Sequence, residues 1–151
     1  RAVRIRRLGR EHEAVAHSME DLASVLMDRK DYAPALARYR EALAIRLAVA
    51  APDYFENAYA HAGIGAAELR LGHAAAAVPA LRTAVRLLAA YDGDPIELAS
   101  FRFLLAQALR RSGGDRAEVG ALVAAVEAAL AGGRPGSAAL RAEVSAWQRR
   151  R

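Results

Sequence analysis

Cysteine is absent from the 151 residues. Disulfides, zinc–thiolate sites and thiol catalysis are therefore excluded, and a reducing compartment fits. Aromatic residues make up 6% of the chain, with a single tryptophan. Runs of valine, isoleucine and threonine are missing as well, and those are the residues from which sheets are built. No uncharged apolar run approaches the roughly 18 residues of a membrane span. The charged N-terminus is followed by no apolar stretch of the kind a signal peptide carries. The expectation is a cytoplasmic protein with no membrane partner. Lysine is nearly missing too: Lys30 is the only one among 22 basic residues.

What remains is alanine, about a quarter of the chain and the strongest helix former, so the composition reads as all-α. The net charge of +5 invites a nucleic-acid partner, but its placement argues against one. Residues 1–10 hold five arginines and no acid, and residues 149–151 are three more. Taking those eight away leaves 14 basic residues against 17 acidic. A nucleic-acid surface masses its cations along a groove or face, whereas here the excess sits in two tails.

The chain repeats itself. "LASVLMDRKDYAPALARYREALA" (22–44) matches "IGAAELRLGHAAAAVPALRTAVR" (64–86), 42 residues on. Leu22-Ala23 corresponds to Ile64-Gly65, Lys30 to Gly72, and Ala35, Tyr39 and Ala42 to Ala77, Leu81 and Ala84. A looser copy, "LAQALRRSGGDRAEVGALVAAVEA" (105–128), keeps Leu105-Ala106 and Gly113. One extra residue then shifts its second half to Val119, Val123 and Val126. Linkers recur at 9–16, 51–58 and 92–99. Each unit reads as helix, short turn, helix, in which small residues let two antiparallel helices approach and a large one fills the gap to the next unit.

This alternation resembles the tetratricopeptide repeat, and the 42-residue spacing resembles its kinesin-light-chain variety. The resemblance implies an all-α solenoid of antiparallel helix pairs: a remnant helix at 1–8, units at 11–50, 51–91 and 92–131, and a capping helix at 136–151. Glu68 stands where the family has a large apolar residue, and Val119 and Val126 where it has alanines. A HEAT-type solenoid is the alternative, and its features fit the glycine turn less well. Ala2, Val3, Ile5 and Leu8 read as the tail of a second helix without its partner. That is the expectation for a C-terminal segment of an array, with self-association through the uncovered end.

Helix starts are marked independently. Asp94-Pro95-x-Glu97, Asp53-x-x-Glu56 and Asp115-x-x-Glu118 all have capping spacing. Pro34 and Pro79 fall early in second helices, where a lost N–H costs little. Leu140, Val144 and Trp147 form one stripe on the last helix, the pattern of a terminal helix that covers the end of a stack.

Sites of chemistry are not written in the sequence. His12, His17, His61 and His73 share no i, i+3 or i, i+4 spacing, so no helix offers a metal chelate. Gly63-x-Gly65 lacks the strand and third glycine of a dinucleotide loop and reads as close helix packing. Asp92-Gly93-Asp94-Pro95 lacks the later acids of a calcium loop. Serines 18, 24, 100, 112, 137 and 145 lie in no nucleophile elbow. The reading is a non-enzyme with no catalytic residue, metal or cofactor.

Stacked helix pairs curve, and in the family the first helices line a concave groove that binds a partner peptide. The resemblance places His17, Glu20, Ser24 and Asp28 there from the first unit, Tyr59, Ala62, Ala66 and Arg70 from the second, and Phe103, Gln107, Arg110 and Arg111 from the third. The groove is expected to be negative near Glu20 and Asp28 and positive near Arg70, Arg110 and Arg111. The cationic clamp by which some family members hold a C-terminal carboxylate is missing. Its positions carry Glu20, Ser24, Gly63, Ser100 and Leu104. The arginine-rich, alanine-rich array also resembles the C-terminal regions of large bacterial serine/threonine kinases, although no kinase element is present. The functional expectation is a protein-interaction scaffold within a larger multidomain protein. The alternatives are a sensor taking a small molecule or signalling peptide, and a basic-tail nucleic-acid binder.

Overall fold

The computed structural model describes residues 2–150, and the side chains of residues 10–150. Among these the chain forms seven helices and no strand: α1 (Ala2–Asp28), α2 (Tyr32–Val49), α3 (Asn57–Arg70), α4 (Ala74–Ala90), α5 (Pro95–Ser112), α6 (Arg116–Leu130) and α7 (Ser137–Arg149). Each helix packs on the next, and α3 also touches α1 and α5, as α5 does α7. The result is a solenoid-like stack of helix pairs.

The repeat positions take equivalent places. Lys30, Gly72 and Gly113 end α1, α3 and α5 in the left-handed region, at φ 64°, 84° and 77°. That is the backbone a tight helix–helix turn requires and one that glycine adopts without strain. Ala35, Ala42, Ala77, Ala84 and Leu81 are wholly buried. A Cβ added to Gly65 would lie 2.4 Å from the Leu81 side chain, and one added to Gly63 would lie 2.4 Å from the Tyr39 ring. Both glycines of the G-x-G are therefore packing residues, pressed on by the large residue of a second helix. Leu81 continues into a cluster with Leu69, Leu105 and Leu109 that joins the second unit to α5.

The expected caps hold at two of three helices. Asp94 accepts from the Ile96 N–H and Asp115 from the Ala117 N–H, each at 2.9 Å. Asp53 caps nothing, because α3 starts later, at Asn57. There the Asn57 side chain, wholly buried, donates to the carbonyls of Ala51 and Pro52 and holds the loop in tight turns. Phe55 of that loop stacks face to face on Tyr91 at the end of α4, with centroids 3.8 Å apart and planes 7° apart. Pro79 is the sixth residue of α4, one turn deeper than its N–H deficit would prefer, yet the helix continues through it.

Residues 9–16 are a linker by sequence but lie within the continuous helix α1. The apolar edge expected from Val3, Ile5 and Leu8, and self-association through it, fall outside the described side chains. Glu68, at a position where the sequence reading expects a large apolar residue, is buried but paired. Arg40 donates to Oε1 at 2.6 Å, and His73 Nδ1 lies 2.7 Å from Oε2. At the far end, Leu140, Val144 and Trp147 of α7 cover Phe103 of α5 and Val126 and Leu130 of α6, as their stripe anticipates.

Candidate functional site

The inner faces of α1, α3 and α5 enclose a cleft of about 550 Å³. Its floor is apolar. Ala62, Gly63 and Ala66 of α3 form the middle, and Phe101 and Leu104 of α5 form one side. Tyr59 stands between them, edge-on to Phe101 with centroids 6.0 Å apart. Small residues on α3 keep the floor low, while the aromatic pair supplies rigid contact area.

The rim is acidic. α1 contributes His17, Glu20 and Asp21, and the turn before α3 contributes Glu56. Arg46 of α2, only 4% exposed, reaches the cleft from behind. Its Nε and Nη2 donate to the two Glu20 carboxylate oxygens at 2.7 and 2.9 Å, and its Nη1 donates to Glu56 at 3.2 Å. The Glu20 hydrogen bond outweighs burial and holds the guanidinium charged more firmly than in water. Arg46 thus ties α1, α2 and the start of α3 together, and its charge is spent on two carboxylates. Asp21 lies on the open rim, its side chain 72% exposed and one carboxylate oxygen 3.8 Å from His17 Nε2.

Tyr59 is fixed by its hydroxyl, which donates to Glu97 at 2.9 Å. Burial, and then that carboxylate, push its pKa up to about 12. Tyr39 presses from α2 on the Gly63 backbone. Burial first, then the Glu20 and Asp28 carboxylates, raise its hydroxyl as well.

Of the residues expected in the groove, the structure brings together His17, Glu20, Tyr59, Ala62 and Ala66. Ser24 and Asp28 are exposed farther along α1, and Arg70 is exposed at the end of α3. The third unit departs from expectation. Phe103 is buried against Trp147, edge to face with centroids 5.5 Å apart. Half-buried Gln107 donates to the Phe103 carbonyl at 3.5 Å. Arg110 lies 3.6 Å over the Trp147 ring, and Arg111 donates to the Leu69 carbonyl at 3.2 Å. Phe101, about 200° around the helix from Phe103, is the aromatic that meets the cleft. Of the three arginines expected at the positive end of the groove, Arg110 is lost to a different cleft, beside α7, while Arg70 and Arg111 lie beyond the lined volume at the ends of α3 and α5.

Sequence reasoning passed over Asp21, Gly63 and Leu104 as cleft residues. Leu104 lies 42 residues after Ala62 and 84 after Glu20, so carrying that register into the third unit would have found it, and Asp21 and Gly63 are the residues that directly follow Glu20 and Ala62. Arg46 left no such signal. Among the described residues no group of three or more histidine, aspartate or glutamate side chains could hold a metal. None of their helices is long and apolar enough to cross a membrane. No protein-family model matches the chain, and no curated protein matches it significantly.

Proposed function

We propose that this chain is a non-enzymatic protein-interaction module whose α1–α3–α5 cleft binds a partner peptide. The observation that carries the reading is the cleft's composition: an apolar floor with fixed aromatics beneath a rim whose cation, Arg46, is already paired. Tyr59 and Phe101 offer an apolar side chain a contact surface that loses little entropy on binding. Asp21 and Glu56 favour a basic neighbour on the same peptide, because complementary charge fixes the direction in which a ligand lies. The partner segment is therefore apolar at its centre and basic toward α1, in keeping with the negative end expected near Glu20. In this reading the units are tetratricopeptide-like. The chain would recruit substrates or regulators in the cytoplasm as the C-terminal part of a larger protein such as a bacterial serine/threonine kinase.

A peptide selected from a display library tests this directly. Ala66→Arg places a long cation across the floor and should weaken that peptide at least about tenfold, roughly 1.4 kcal/mol. Ala76→Arg, on the exposed side of α4, should leave it unchanged. Equal losses in both variants would remove the cleft from consideration. The sensor reading keeps one point in its favour, since about 550 Å³ falls within the usual range for small-ligand sites. It would prevail if small molecules, and no peptide, raised the melting temperature of the wild type but not of Ala66→Arg.

A further inference from the structure

We infer that the stack carries a second docking site, between α6 and α7, for an acidic segment bearing one large apolar residue. The inference begins with the repeat. At position 39 of the first unit and 81 of the second, a large side chain is covered by the following helix: Tyr39 by α3 at Gly63, and Leu81 by α5 at Leu105. The third unit has Val123 at that position, a smaller side chain that no helix of a following unit covers. α7 meets α6 lower down, around Val126, Leu130, Leu140 and Val144. Toward the start of α6 the two helices leave a cleft of about 1080 Å³, roughly twice the volume of the concave one.

Val119, Val123 and the Trp147 ring make its walls apolar, and a Cβ placed on Gly120 would meet nothing within 4 Å. In the first two units that register is filled by a neighbouring helix, so the third offers a hole of the shape an apolar side chain fills. Three arginines surround it, Arg110, Arg116 and Arg150, all exposed. The one acid on its lining, Glu127, is held by the Gln148 amide at 2.7 Å. The Arg110 guanidinium carbon sits 3.6 Å from the indole centroid, which holds this cation at the mouth of the cleft, where a carboxylate would meet it. Cationic edges around an apolar floor complement an acidic, apolar-centred peptide. A nucleic acid fits less well, because the walls are aliphatic and the cations few.

Trp147 is the only tryptophan and stands in the wall, so it reports occupancy directly. The probe is a synthetic peptide with a central leucine flanked by glutamates, titrated against the whole chain while tryptophan emission is followed. Binding should change the emission. It should weaken by about tenfold or more as salt is raised through the range that screens surface charge. Arg116→Glu/Arg150→Glu, at two exposed lining positions away from the indole, should lose the signal with the melting temperature unchanged. Gly120→Phe, which fills the hole from an open position, should also lose it. Ala66→Arg should bind normally, which separates this site from the concave cleft. Any of three results would overturn the inference: an all-glutamate peptide without leucine binding as well, a single-stranded oligonucleotide competing more strongly than the peptide, or Ala66→Arg losing the signal along with the arginine pair.

Discussion

Lys30 holds a backbone conformation that its two counterparts give to glycine. Its φ of 64° matches the 84° of Gly72 and the 77° of Gly113. The left-handed region costs an L-residue about 1–2 kcal/mol, and glycine gives back part of that in extra unfolded-state entropy. Lys30→Gly should therefore stabilise by about 0.5–1 kcal/mol, read as a rise of a few degrees in melting temperature. An unchanged or lower value would show that the lysine side chain contributes more than its strain costs. Tyr59 makes a prediction in pH. Its pKa is about 12 in the fold against 10 when unfolded. The raised value means that its contribution is complete below pH 10 and is lost as pH rises toward 12. In an ultraviolet titration of the five tyrosines, Tyr59→Phe should remove the last to ionise. An unchanged alkaline end of the curve would place that hydroxyl in water and away from Glu97.

At the scale of the element, what decides is how closely two helices approach. Ala77 is wholly buried in the cluster that joins α4 to α5. Ala77→Leu should destabilise by about 1–3 kcal/mol in thermal or denaturant unfolding, because the added atoms have no room. A neutral result would place that face in solvent. The small faces and the turns were legible in the sequence because both are local: they recur at fixed spacing and follow from backbone geometry alone. The cleft was legible only on α1 and α3. On α5 the sequence offers two aromatics, Phe101 and Phe103, on nearly opposite sides. Which one faces the cleft is decided by α7, whose Trp147 claims Phe103. The buried Arg46 escaped for a related reason. It pairs with Glu20 across 26 residues, and no periodicity links them. Asp53 misled because capping spacing is necessary for a helix start but not sufficient. The buried Asn57 fixed the loop instead.

Across the whole molecule, apolar contacts are divided among clusters that each join neighbouring helices. Stacks of this kind behave nearly as a chain of nearest-neighbour couplings. Removing residues 136–151 should therefore uncover Phe103, Val126 and Leu130 and raise amide exchange in α6 above all, while α1–α4 keep their protection. Uniform loss of protection would instead mark a single cooperative unit. The stacked rings of Phe55 and Tyr91 bear on a different property, the mechanics of the array. They fasten the loop that follows α2 to the end of α4, so bending the superhelix at that joint must slide one ring off the other. Such a contact resists shear over its whole area and yields gradually. Pulled from its two ends, the molecule would act as a stiff lever through α4 and would give first where α7 stands away from α6.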